Sequence, residues 1–309
     1  MFLSLVLLAG HLSSCLKSEP RPSGDEPLLV ATNFVLYDTA RTLTGDLADV
    51  RMLLPPGADA HEYELTLADT ALIAEADFFL YIGGESEDWM DDLFASMKAE
   101  DRPKSFRALD TAALRNEEVK EGMQADKAEE GEEDAVDEHV WTSFENLLAI
   151  AGQVDRGLCE LCPDKEDVLR ERLDTYRDEI EEIRAAYRET ADGAARKTLV
   201  FADRFPFLYL VKELGLDYTA AFSGCSSNVE ASLATIHHLV TKVEDEGIPA
   251  VFIIELSDGK CAEAVARETG CRILTLSSGH NVTPAEFEAG ITYFDLLRQN
   301  LEALKIALY

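Results

Sequence analysis

Short apolar runs alternate along the chain with stretches in which apolar residues recur at helical spacing. Residues 27–46, PLLVATNFVLYDTARTLTGD, predict a buried strand followed by a helix, and residues 50–57, VRMLLPPG, predict the next strand and a loop. Residues 66–77 have helical spacing, and residues 78–97 predict a strand, a Gly-Gly turn and a helix. Strands and helices that alternate at these lengths indicate a parallel α/β sheet.

A long helical run interrupts this alternation, which then restarts. Residues 164–192 place apolar side chains about one helical turn apart, at Val168, Leu169, Leu173, Tyr176, Ile180, Ile183 and Tyr187. At about 1.5 Å per residue such a helix crosses a whole domain, so we expect it to link two lobes. The residues after it predict strands at 197–203, 249–255 and 272–276, among helices that end with one over 291–308.

We therefore predict an α/β protein of two lobes, each with a mainly parallel sheet flanked by helices. The N-terminal lobe is expected over residues 28–163, the linking helix over 164–193 and the C-terminal lobe over 194–309. Residues 116–138 carry eleven acidic residues and two lysines without an apolar period. Such a segment predicts a mobile acidic insertion rather than an element of the fold.

The whole chain is strongly acidic, with 60 Asp and Glu against 28 Lys and Arg and a formal net charge of -32. This charge repels nucleic acid and anionic lipid headgroups, and it raises the local concentration of cations. It therefore disfavours nucleic-acid partners. Plain solubility, or adaptation to a salty exterior, explains the acidity as well as any specific function does.

The first residues predict export. Residues 1–15, MFLSLVLLAGHLSSC, form an apolar run that is too short for an ordinary transmembrane helix, and they are typical of a signal peptide. The end of this run, from Leu12 to Cys15, resembles a bacterial lipobox, in which the cysteine becomes lipidated. Residues 16–27 are polar and rich in proline, as expected of a tether. We expect an extracytoplasmic protein that contacts the cell membrane only through a lipid on Cys15.

Five further cysteines follow: Cys159, Cys162, Cys225, Cys261 and Cys271. An odd count allows at most two disulfides and leaves one thiol. Cys159 and Cys162 form a single CxxC motif, which is a weak indication of a zinc or redox site. The motif therefore predicts either a local disulfide or two free thiols.

Two histidines lie in loops at the predicted ligand-binding edge of the N-terminal lobe. His61 follows the Pro-Pro-Gly turn at the end of the second strand, and His139 follows the acidic insertion. Ligands of parallel α/β sheets bind beyond the carboxyl ends of the strands. Because a neutral imidazole is the usual nitrogen ligand of zinc, both histidines are candidate metal ligands.

The C-terminal lobe offers two residues at equivalent positions. Asp203 ends the strand 197–203, and His280 lies in a Ser/Gly loop after the strand 272–276. If these side chains meet the two loop histidines in one cleft, three imidazoles and a carboxylate complete a four-coordinate site. Alternatively, Asp203 caps a helix and pairs with Arg204, and His280 is solvated.

At these residues the chain resembles the metal-binding lipoproteins of zinc and manganese ABC importers, cluster A-I, and the zinc branch most closely. The motifs that carry the resemblance occur in one order: PPGADAHEYELT, FLYIGGESEDWMDDL, DEHVW, FADRFPFLYL and GITYFDLLRQNLEALKIAL. The resemblance implies two lobes joined by one rigid helix, with the metal in the cleft between them. It also implies an ABC permease as the partner, and we expect the receptor to be a monomer.

The resemblance implies metal ligands at His61 and His139. The family's third ligand falls on Ala202 or Asp203, of which only Asp203 can bind metal, and the fourth falls beside His280, which can replace it. The alternatives to Asp203 are a thiolate and three spare carboxylates: Cys225, Glu62, Glu138 and Glu255.

We expect a receptor that captures Zn²⁺ outside the membrane and delivers it to the permease, and not an enzyme. Three imidazoles with one carboxylate suit zinc better than Mn²⁺, and a manganese or iron receptor of the same family is the alternative. A zinc hydrolase would need an open water position and a base, and the chain has no HExxH, G-x-S-x-G or P-loop motif. An adhesin with the same fold is a further alternative, because adhesion would require only an exposed binding surface.

Overall fold

The computed structural model of the chain describes residues 26–124, 135–224 and 230–309. The expected signal peptide with Cys15, most of the tether, the middle of the acidic insertion and Cys225 lie outside the described residues.

The N-terminal lobe is built around a parallel sheet. Its strands in the described residues are β1 (Leu28–Ala31), β2 (Asp49–Met52), β3 (Phe78–Tyr81) and β4 (Lys104–Arg107). They lie in the spatial order β2-β1-β3-β4 and all run parallel. The helices of this lobe are α1 (Phe34–Thr44), α2 (Leu67–Glu75), α3 (Trp89–Ser96) and α4 (Phe144–Leu161).

One long helix, α5 (Glu166–Gly193), joins the lobes; its 28 residues span about 42 Å at the usual helical rise. Six of the seven apolar positions predicted for its stripe are buried, whereas Val168 is 41 % exposed. The Tyr176 hydroxyl forms a 3.1 Å hydrogen bond with Thr39 of α1. The Tyr187 hydroxyl donates to the carbonyl of Leu297 in the C-terminal lobe at 2.6 Å. One face of α5 therefore binds both lobes, as the sequence predicts.

The C-terminal lobe repeats the architecture of the first. Its strands in the described residues are β5 (Thr198–Phe201), β6 (Asp217–Ala220), β7 (Ala250–Ile253) and β8 (Arg272–Thr275), again parallel and in the order β6-β5-β7-β8. The helices are α6 (Leu208–Leu214), α7 (Leu233–Glu246), α8 (Lys260–Thr269), α9 (Pro284–Glu288) and α10 (Tyr293–Leu308). The two-lobed α/β fold with a linking helix is thus confirmed.

The largest apolar core runs through both lobes. Successive strand residues point to opposite faces of a sheet. Leu29 and Phe201, one from each sheet, lie in a core that also contains the buried stripe of α5. The opposite face of the first sheet, with Val30, packs in a separate cluster, and that of the second sheet, with Val200, packs in another. The lobes therefore share one core along the linking helix.

The described ends of the acidic insertion pack against the C-terminal lobe. Gln124 forms an isolated bridge with Phe222, and Lys120 forms an ion pair with Asp217. The sequence predicts a mobile segment there, but these ends are held by backbone hydrogen bonds and by charge pairs with the other lobe.

No helix among the described residues is long and apolar enough to span a membrane. Cys159 and Cys162 are free thiols, which is one of the two outcomes predicted for the CxxC motif, and Cys261 and Cys271 are also free.

Candidate metal centre

Three histidines from both lobes converge on one point. In the described part of the chain, His61, His139 and His280 each offer one ring nitrogen, and these three atoms lie within 4.8 Å of one another. The ring centroids are 5.9 Å apart for His61 and His139, 5.3 Å for His61 and His280, and 5.7 Å for His139 and His280. The structure therefore brings together the three histidines singled out from the sequence.

His61 is carried by the loop after β2. Asp59 caps the short 3₁₀ turn Ala60–Glu62, because its Oδ1 accepts the backbone N–H of His61 at 3.0 Å. Gly57, with a φ of 88°, allows the tight turn before it. The loop ends at Thr66, whose capping box begins α2. The local sequence thus fixes the backbone that presents the imidazole.

His139 is fixed by the carboxylate of Asp137. Asp137 Oδ1 accepts the backbone N–H of His139 at 2.8 Å and lies 2.9 Å from its Nδ1. This contact leaves Nε2 free to face the cluster. A carboxylate on the second ring nitrogen is the usual partner of a metal-binding histidine, because it sets the tautomer and the ring orientation.

His280 is positioned by the partly buried carboxylate of Glu255. Glu255 Oε1 accepts the backbone N–H of His280 at 3.1 Å, and Oε2 accepts that of Ser278 at 2.7 Å. The carbonyl of His280 accepts the N–H of Phe34 in α1 at 3.0 Å. The Trp141 ring lies 5.0 Å from the His280 ring, centroid to centroid, and its Nε1 donates to the Ser278 carbonyl at 2.8 Å. This C-terminal-lobe histidine is therefore held firmly against the N-terminal lobe.

Burial decides the charge of two of the three rings. Burial lowers the pKa of His61 to about 4. Burial also holds the pKa of His280 well below its ordinary value. For His139, burial again disfavours the charged ring, but the hydrogen bond and charge of Asp137 outweigh it and raise the pKa. At pH 7 the rings of His61 and His280 are neutral and can each offer a lone pair without first losing a proton.

A buried carboxylate oxygen lies beside the cluster without a hydrogen bond. Glu138 Oε1 accepts none within the described residues and lies 3.8 Å from His61 Nδ1, while Oε2 accepts the N–H of Ser86 at 3.0 Å. Gly84 leaves the room for this side chain, because a Cβ there would lie 1.9 Å from Oε2. A buried acceptor without a partner is costly, so a nearby cation would stabilise it.

Asp203 lies outside the histidine group in the described structure. Its Oδ1 accepts the N–H of Arg204 at 2.8 Å, and its Oδ2 accepts the N–H of Ile254 at 3.3 Å. It lines a neighbouring cavity of about 340 Å³ with Ser257 and Cys261. Of the alternative ligands, Glu62 is exposed.

Contacts between the lobes were not predicted from the sequence. Arg204 forms an ion pair with Asp59 at 2.7 Å, and the Asn281 amide donates to the carbonyls of Pro55 and Ala58 at 2.8 Å each. The contact of Asp137 with His139 was not predicted either. The sequence contains one indication of it, because Asp59 and Asp137 each stand two residues before a histidine, and each accepts the backbone N–H of that histidine.

The cluster borders a small cavity of about 30 Å³ at the lobe interface, lined among others by Arg204, Ile254 and Leu256. Three imidazole nitrogens close enough to share one ion form a typical zinc-binding set. Two neutral rings, an oriented third ring and a carboxylate oxygen without a donor all fit a divalent cation.

Comparison with known proteins shows that the chain is similar to zinc-uptake and zinc-binding proteins. Residues 29–307 match the family described as zinc-uptake complex component A, periplasmic. The chain is 26 % identical over 308 residues to the high-affinity zinc uptake system protein ZnuA of Bacillus subtilis, covering 98 % of this chain and 94 % of that protein. It is 28 % identical over 278 residues to the zinc-binding lipoprotein AdcA of Streptococcus pneumoniae, covering 90 % of this chain. The chain spans about half, 55 %, of the length of that relative.

A solved structure resembles the whole described fold. The Zn(II)-bound ZnuA-like domain of Streptococcus pneumoniae AdcA superimposes with a TM-score of 0.75 at 25 % identity. The match covers 92 % of this chain and 99 % of that domain.

Proposed function

Because the chain belongs to the family of the periplasmic zinc-uptake complex component A, we propose that it is an extracytoplasmic receptor that captures zinc as its substrate. The family is one of solute-binding receptors rather than enzymes. We propose that His61, His139 and His280 are the protein ligands and that this chain has no catalytic activity of its own.

The observation that carries this proposal is the convergence of three ring nitrogens from two lobes within 4.8 Å. Neutral imidazoles favour zinc over manganese, which prefers oxygen ligands. Asp203 remains our sequence-derived candidate for the fourth position. To bind there it would first have to release the N–H groups of Arg204 and Ile254.

Delivery requires a partner, and members of this family work with the permeases of ABC importers. We propose that this chain, as a monomer, docks on such a permease and hands zinc to it. Anchoring through a lipid on Cys15 is part of the same proposal, and the relative AdcA is named a lipoprotein.

Two leucines at equivalent positions in the two lobes support a docking surface for the permease. Leu67 begins α2 and is 92 % exposed, and Leu233 begins α7 and is 86 % exposed. Each helix follows the second strand of its lobe, so both leucines lie on the rim to which the carboxyl ends of the strands point. The flanking residues Glu64 and Glu230 make this rim acidic. The rim therefore suits a partner surface with apolar pockets and basic residues.

If these leucines dock on the permease, changing them should reduce zinc uptake without changing zinc binding. The double variant Leu67→Asp and Leu233→Asp should reduce zinc uptake by cells that depend on this receptor, while the purified chain binds zinc as before. Ile306→Asp, at a 40 % exposed position on α10, is the matched control. Unchanged uptake in the double variant would remove these leucines from the docking surface.

Calorimetric titration tests the ligand assignment. The metal-stripped chain should bind one zinc ion, and His61→Ala, His139→Ala and His280→Ala should each weaken binding by roughly two orders of magnitude or more, because each removes a coordinate bond. His237→Ala is the control, since His237 is exposed on α7 and hydrogen-bonds to Thr241, four residues along the same helix. Wild-type zinc affinity in each of the three variants would refute the ligand assignment. Tighter binding of manganese than of zinc by the wild type would refute the choice of metal.

A further inference from the structure

An ion pair crosses from one lobe to the other at the mouth of the histidine cluster. Asp59 belongs to the loop of the N-terminal lobe that carries His61, and Arg204 follows β5 in the C-terminal lobe. Arg204 donates from one terminal nitrogen to Asp59 Oδ2 at 2.7 Å and from the other to Oδ1 at 3.4 Å. The Arg204 side chain is 11 % exposed and that of Asp59 29 %. Partial burial makes such a two-point contact stronger than an ordinary surface ion pair.

Asp59 connects this ion pair directly to His61. The same Oδ1 atom that faces Arg204 accepts the backbone N–H of His61 at 3.0 Å. Arg204 also lines the cavity at the cluster, together with His61, His139 and His280. A displacement of Arg204 from Asp59 therefore frees the residue that fixes the backbone of one proposed ligand.

Hydrogen bonds in the described residues also join the base of this loop to the C-terminal lobe. The Asn281 amide holds the carbonyls of Pro55 and Ala58, and the N–H of Gly57 donates to the carbonyl of Val282 at 2.8 Å. These bonds hold residues 55–58 of the loop. The ion pair of Asp59 and Arg204 holds the next part of the loop, directly before His61.

We propose that Asp59 and Arg204 form an electrostatic latch between the lobes, which holds the His61 loop closed and sets the rate at which bound zinc leaves. This inference rests on the proposed function as a zinc receptor. The base of the loop stays attached to the C-terminal lobe when the latch opens, so only the part that bears His61 has to swing away. A small loop motion of this kind needs no separation of the lobes, whose shared core runs along α5.

The test measures zinc release by stopped flow, with the zinc-loaded chain mixed with excess chelator. Asp59→Asn keeps an oxygen that can cap the His61 N–H but removes the charge, and Arg204→Met keeps the bulk of the side chain. Each should release zinc about tenfold faster than the wild type, with association rates little changed. The double variant should release zinc no faster than the faster single variant, because both changes break one contact. Arg204→Lys, which keeps the charge, should stay closer to the wild-type rate.

A second readout separates a latch from a merely structural role. Release from the wild type should accelerate at high ionic strength, because a partly exposed ion pair is screened, and release from the two single variants should lose this dependence. Arg184→Met is the matched control: Arg184 forms a comparably buried ion pair with Glu213 at 2.6 Å, which involves none of the histidines. It should alter thermal stability and leave the release rate unchanged.

Two results would overturn the latch. The first is that Asp59→Asn and Arg204→Met release zinc at the wild-type rate. The second is that the effects of the two substitutions on the release rate add up fully in the double variant. Failure of the receptor function itself is distinguishable, because the wild-type chain would then bind no zinc at the start of the experiment.

Discussion

At the scale of single residues, the proposed ligands could be predicted from the sequence, whereas the residues that hold them could not. The convergence of His61, His139 and His280 was predictable because loops after parallel strands lie at one edge of a sheet. The orientation of the Asp203 side chain could not be predicted, because a shift of one residue at a strand end decides whether a side chain faces the cleft or a backbone N–H. Here its carboxylate is turned to the N–H groups of Arg204 and Ile254.

The contact between Asp137 and His139 leads to a prediction about affinity. Asp137→Asn should weaken zinc binding by roughly 10–100-fold, because the carboxylate that orients the ring through Nδ1 is lost. Competition with a chelator of known affinity measures the change. Glu62→Gln, which alters an exposed carboxylate next to His61, should leave the affinity unchanged. Equal effects of the two substitutions would contradict a specific role for Asp137.

Glu87 predicts a pH dependence of stability in the metal-free chain. Burial raises the pKa of this carboxyl from 4.5 to about 7. The folded form keeps the proton up to about pH 7 and the unfolded form only up to about pH 4.5, so unfolding releases a proton between these values. The contribution of Glu87 to the free energy of unfolding should therefore fall by about 3 kcal/mol as pH rises through this window.

Chemical denaturation of the metal-free wild type and of Glu87→Gln at pH 5 and pH 8 checks this dependence. His61 and His280 contribute in the opposite direction, because their folded pKa values are lowered, but they contribute equally to both proteins. The change in stability from pH 5 to pH 8 should therefore be less favourable in the wild type than in Glu87→Gln by most of this amount, because the amide does not ionise. The same change in both proteins would contradict the role of Glu87.

At the scale of elements, apolar periodicity was sufficient for the central strands and the long helices. It missed one edge strand in each sheet: Lys104–Arg107, whose side chains are mostly exposed, and Asp217–Ala220, a short segment next to a turn. Lys104–Arg107 buries few side chains and so carries a weak pattern, whereas Asp217–Ala220 is buried at three of its four residues but contains no continuous apolar run. Helix α6 begins at Leu208 rather than directly after the strand, because Pro206 lies in the connecting loop and disfavours helical backbone before it.

The linking helix α5 predicts a contrast between two of its positions. Ile180 is fully buried in the shared core, so Ile180→Ala should lower the free energy of unfolding by roughly 2–5 kcal/mol. Val168→Ala should change it little, because Val168 is 41 % exposed. Denaturant unfolding of the two variants measures both values. Similar losses at the two positions would contradict the orientation of the helix.

At the scale of the whole molecule, three features act together: two lobes, a shared core along α5 and a histidine cluster built from both lobes. A ligand that binds only the folded state stabilises it by mass action. Zinc at about 100 times its dissociation constant should therefore raise the free energy of unfolding by about 2.7 kcal/mol. Thermal unfolding with and without zinc tests this, and His280→Ala should abolish the shift. A shift that persists in this variant would place the stabilising zinc elsewhere.

We propose that three imidazoles from two lobes hold the zinc ion. X-ray absorption at the zinc edge of the loaded chain can identify these neighbours, because imidazole rings give a distinctive scattering pattern. We predict three nitrogen neighbours from imidazole at roughly 2.0–2.1 Å and no sulfur neighbour. A sulfur neighbour near roughly 2.3 Å, or fewer than two imidazoles, would contradict the account.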